Sequence, residues 1–154
     1  MEHRAGRRWL GVAFPTATYL YPAEDVASVT QGDDWGAEGD DFLQLASLTD
    51  IRPVDGVTQL TPRVSVVPTG GHGLGHQVVR IEDAGDVAVY LGHIVIHPVQ
   101  FPNPDLSLDK NSDEITVRRH HLGALADEGG LGITTLVGGP GGGRIVRDGD
   151  GFRV

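Results

Sequence analysis

Residues 68–77 read PTGGHGLGHQ and residues 90–98 read YLGHIVIHP. Together they carry His72, His76, His93 and His97, four of the seven histidines in the chain. Glycine admits positive φ and close backbone approach, and neutral imidazole is the commonest protein metal ligand, so histidines set among glycines are candidate ligands. The segment between them decides how they are arranged. QVVRIE (77–82) and VAVYL (87–91) alternate in the manner of strands, and the turn residues Asp83 to Asp86 join them, which predicts a hairpin. A hairpin places the histidine segments at strand ends, at one end of a sheet.

Composition limits what such a site can do. The chain has 154 residues, the size of one domain, and a domain of that size buries roughly 70% of the surface that its unfolded chain exposes. Apolar residues make up 39% of the chain, enough for a core. The net charge of -9, from 21 acidic against 12 basic residues, repels a phosphate backbone, so nucleic acid is not an expected partner. No cysteine is present, which rules out thiolate chemistry and sulfur-ligated zinc and leaves His, Asp and Glu as ligands. No apolar run approaches the roughly 18 residues that a membrane span needs. These features lead to the expectation of a soluble, cytoplasmic protein without a membrane partner.

Along the chain, TATYLY (16–21) reads as a strand ended by Pro22, before an acidic, helix-compatible run from Ala23. Residues 28–41 are polar and glycine-rich and read as loop. DFLQLAS (41–47) suits a short helix with Phe42, Leu45 and Ala46 on one face. Residues 51–54, 58–60 and 63–67 are short β-compatible runs between turn signals. Asp113 to Glu128 is the longest helical candidate, with Ile115, Arg118, His121, Leu122 and Leu125 at helical spacing and Gly129-Gly130 as its stop. Residues 131–137 return to strand character, and residues 144–147 with 151–154 suggest a closing hairpin around Asp148 to Asp150. Strands, a helix, then strands predict an α/β class with a largely antiparallel sheet.

GGHGLGHQ at residues 70–77, followed after one hairpin by LGHIVIHPVQ at residues 91–100, resembles the second half of the metallo-β-lactamase superfamily, in particular its lactonase-like hydrolases. Those proteins carry a Gly-His-x-x-Gly-His turn, a hairpin, and then a metal-binding Gly-Asp turn, often with a His-Pro soon after. WLGVAFPTATYLY, ITVRRHHLGALADEG and GGPGGGRIVRDGDGFR also resemble the linear order of the family, so the resemblance covers almost the whole chain. It implies an αββα sandwich with a two-zinc site at the sheet edge, where a metal-activated water attacks an ester, lactone or amide carbonyl.

Carried onto this chain residue by residue, the resemblance gives an incomplete metal set. The family's His-x-His-x-Asp-His cluster has no counterpart in these residues, so the expectation is a truncated single domain over residues 1–154, the C-terminal portion of the family fold. His72 matches a zinc ligand, His93 stands where the family has its bridging aspartate, and Leu136 matches the last histidine. His76 matches a residue that braces the turn, and His97 one that lines the cavity. The resemblance thus implies vestigial metal binding at His72 and His93, supported by His76 and His97, with zinc weakly held or absent. The function expected is that of a hydrolase-like protein of lactone or ester hydrolase ancestry, inactive or weakly active alone. The alternative is a non-catalytic binding or assembly domain, or one half of a split hydrolase; the expected partners are a second copy of the chain or a separate N-terminal half, with a small ester or lactone as substrate if active. His120 and His121, adjacent on one helix, read as a solvated pair. GGPGGGR (138–144) lacks the Gly-Lys-Ser/Thr ending of a phosphate loop, and neither Ser65 nor Ser107 lies in a nucleophile elbow.

Overall fold

A computed structural model describes residues 11–107, 112–134 and 141–154, and the chain divides into two units between Asp55 and Gly56. In the first unit, β1 (Thr18–Pro22) leads into helices α1 (Ala23–Gln31) and α2 (Gly36–Ala46) and then β2 (Asp50–Val54). β2 pairs in parallel with β1, Thr18 opposite Asp50 and Pro22 opposite Val54. A parallel pair needs a long crossover, and the two helices supply it. The stretch 28–41, expected as loop, is therefore largely helical. Gly32 (φ 91°, ψ 22°) closes α1 in the left-handed conformation, and the Trp35 indole N–H donates to Ser28 Oγ at 2.9 Å. Buried Val29 and Trp35 anchor this segment from within an otherwise polar composition, which is why its composition reads as loop.

The second unit is built on a six-stranded sheet. Its strands are β3 (Thr58–Thr61), β4 (Val64–Pro68), β5 (Gln77–Asp83), β6 (Asp86–Tyr90), β7 (Leu131–Ile133) and β8 (Gly142–Arg144), in that spatial order. Only the β6–β7 pairing is parallel, so the sheet is largely antiparallel, as expected. The predicted hairpin is β5–β6, with Asp83 opposite Asp86. Ala84 (φ 52°) and Gly85 (φ 93°) form its two-residue loop; positive φ at both central positions is what a type I′ turn requires to follow the twist of its strands.

Helix α3 (Ser112–Glu128) returns the chain so that β7 can pair in parallel with β6. Its end is a Schellman motif: Gly129 takes φ 64°, while Gly130 N donates to Leu125 O at 2.7 Å and Gly129 N to Ala126 O at 3.3 Å. Pleat alternation turns Val78 of β5 and Val89 of β6 toward the helix, where they join Leu122, Leu125 and Val117 in one buried cluster. Arg80 ties β5 to the end of α3 through Glu128, with N–H···O contacts of 3.0 and 3.1 Å. The closing hairpin is also present, as β9 (Val146–Asp148) against β10 (Gly151–Arg153). No helix among the described residues is long and apolar enough to cross a membrane.

Candidate functional site

The loop from β4 to β5 is closed on itself. Thr69 N donates to His76 O at 3.0 Å, and the Thr69 hydroxyl lies 2.8 Å from Gly71 O and 3.1 Å from His76 O. Gly71 is where this loop meets α3: a Cβ there would lie 2.7 Å from Val117 Cγ2, so only glycine lets the backbone come this near. The next residue, His72, takes φ 76°, a left-handed conformation that costs an L-residue roughly 1–2 kcal/mol. Residues held in such conformations concentrate at functional sites. The ring that results is placed over the first turn of α3. His72 Nδ1 is buried without a hydrogen bond, and the Glu114 carboxylate oxygen Oε1 lies 3.4 Å from it.

His76, three positions after Gly73, packs edge-on against His72, with ring centroids 4.6 Å apart. Its Nδ1 lies 3.1 Å from the Thr69 hydroxyl. Which group donates across this contact depends on the tautomer of the ring. Its Nε2 faces the next turn, 3.4 Å from where a Cβ on Gly92 would sit. Burial pushes the His76 pKa down from 6.5 to about 4, with His72, His93 and His121 adding to the shift.

His93 lies in the Gly92–Ile94 3-10 turn that follows β6, and its ring centroid is 6.0 Å from that of His72. The hairpin thus brings the two predicted metal residues together. His97 has a different job: it is the N-cap of the Pro98–Gln100 turn, where its Nδ1 accepts from Val99 N at 3.2 Å. His121 is partly buried on α3, where burial lowers its pKa and His120 lowers it further. Since it also acts on His76, the solvated-pair reading does not describe it. Leu136 lies outside the described residues.

The groups that sequence reasoning missed lie beneath these rings. Arg118 is 0% exposed. It donates to Ile94 O (2.6 Å), Pro104 O (2.8 Å), Leu106 O (3.0 Å) and Glu114 Oε1 (3.0 Å). Ser107 Oγ donates to the other Glu114 oxygen at 2.6 Å. One buried guanidinium therefore connects the carboxylate facing His72 to the turn carrying His93. An arginine inside the apolar spacing of α3, with a glutamate four residues before it, is the signal that could have found this pair.

These residues can be tested against the zinc that the resemblance implies. A zinc–nitrogen bond of roughly 2.0–2.1 Å puts each ring centroid about 3 Å from the ion, so two imidazoles on one zinc stand roughly 5–6 Å apart. The separation of 6.0 Å between His72 and His93 fits a pair of nitrogen ligands. Among the described residues, no group of three or more His, Asp or Glu is placed to hold a metal ion, and Glu114 is already committed to Arg118 and Ser107. Among the described residues the candidate donors thus amount to two imidazoles that lie near each other.

No protein-family model matches the chain, and a search of curated proteins returns no match. Solved structures do match. One is AidC, a dizinc quorum-quenching lactonase in complex with a product, with TM-score 0.75 and 18% identity over 93% of this chain and 55% of that one. A second is the hydrolase AbOPH of the beta-lactamase superfamily, with TM-score 0.67 and 18% identity over 91% of this chain and 55% of that one. A third is a quorum-quenching N-acyl homoserine lactone lactonase, with TM-score 0.60 and 13% identity over 81% of this chain and 51% of that one. The chain spans about half the length of each of these structures. Its mixed α/β architecture, with a mostly antiparallel sheet, is the fold that these solved hydrolases show over about half of their length.

Proposed function

We propose that this chain is a hydrolase-like protein of lactone or ester hydrolase ancestry, whose own residues supply a two-histidine zinc platform, His72 and His93, and not a complete centre. The observation that carries this reading is the convergence of those imidazoles at 6.0 Å, on neighbouring turns of a lactonase-like fold. A zinc ion there would polarise a carbonyl and make water a better nucleophile. The chain's own residues hold the two rings: Thr69 braces His76 against His72, and Arg118 fixes both Glu114 and the Ile94 carbonyl. Two imidazoles bring no negative charge to offset a dication and leave most of its coordination positions to water, so zinc is held weakly. The test is elemental analysis after purification with zinc and dialysis, alongside turnover of an N-acyl homoserine lactone and an aryl ester. The expected result is zinc well below one equivalent and turnover near background. Retained stoichiometric zinc together with robust turnover would contradict it.

A second reading, an assembly domain or one half of a split hydrolase, is favoured by the sheet face turned away from α3. Ile81, Ala88 and Leu131 lie side by side across β5, β6 and β7, with Ile81 37% and Leu131 41% exposed. Contiguous exposed apolar rows mark association surfaces. Light scattering during size-exclusion chromatography distinguishes the readings: a monomer at all concentrations argues against self-association.

A further inference from the structure

We draw no further inference here: the strongest candidate, the apolar row of Val64, Ile81, Ala88 and Leu131 across β4 to β7 on the sheet face turned away from α3, carries nothing because nothing in the structure shows what covers it.

Discussion

Arg118→Met is the perturbation that most directly probes how the site is held. The guanidinium has no solvent exposure and makes four hydrogen bonds. Methionine fills much of the same volume but donates nothing. Leu106 O keeps a second donor, Gln100 Nε2 at 3.0 Å, so the carbonyls of Ile94 and Pro104 and the Glu114 carboxylate, 8% exposed, bear the loss. Removing one member of a buried ion pair costs about 3–5 kcal/mol, because the other charge is left uncompensated, and each unpaired buried carbonyl adds roughly 1–3 kcal/mol. Apolar burial of the methionine offsets part of this, giving an expected net loss of about 3–5 kcal/mol, a large share of the roughly 5–15 kcal/mol that holds a domain folded. The assay is urea unfolding followed by far-UV circular dichroism, since Trp9 and Trp35, the only tryptophans, both precede Gly56 and fall in the other unit. The double variant Glu114→Leu/Arg118→Met removes both charges and should recover at least about 1.5 kcal/mol of the loss, because replacing a buried pair with apolar residues is often near neutral. A single-variant cost under about 1 kcal/mol, or no recovery in the double variant, would refute the reasoning.

Three further outcomes are expected. Leu125→Ala should cost about 2–4 kcal/mol in urea unfolding, as for a leucine 1% exposed between α3 and the sheet; a cost near zero would place that face in solvent. His76, with its pKa near 4 in the folded chain, stays neutral while the unfolded chain takes up a proton below about pH 6.5. Its contribution to stability is therefore undiminished above that pH and is lost as the pH falls toward 4, with a slope of at most about 1.4 kcal/mol per unit, and partial exposure of the ring brings the total to about 2 kcal/mol. Unfolding midpoints between about pH 7 and pH 4.5 should show this fall, and His76→Gln should flatten it. His93→Asp should leave lactone and ester hydrolysis near background, because one added carboxylate does not complete a centre that has no third ligand among the described residues; robust turnover in that variant would show that other groups close the site.

Much of the frame was legible in the sequence, for reasons that differ from element to element. The β5–β6 hairpin could be read because strict alternation and the Asp83–Asp86 turn both demand it, and α3 because Gly129-Gly130 supplies the conformation that ends it. The proximity of His72 and His93 followed from that hairpin, since pairing β5 with β6 brings the preceding and following turns together. Other features depend on burial, which a pattern of residue types does not encode. Glu114 and Arg118 have the i, i+4 spacing of an ordinary surface ion pair; only the carbonyls of Ile94, Pro104 and Leu106 closing over the guanidinium turn them into an internal clamp. His97 shares the glycine-and-imidazole setting of the others, yet its position before Pro98 makes it a cap. In α1 and α2, the few anchoring side chains, Val29 and Trp35, are outnumbered by polar neighbours, so the helices were hidden in the composition.

The central claim is that His72 and His93 together form a two-nitrogen platform, and zinc K-edge X-ray absorption of the protein in excess over zinc tests it most directly. The account predicts two imidazoles per ion at roughly 2.0–2.1 Å with the remaining positions filled by light atoms of water, and loss of one imidazole signal in each of His72→Ala and His93→Ala. A first shell containing three or more protein ligands, or one unchanged by both substitutions, would contradict it.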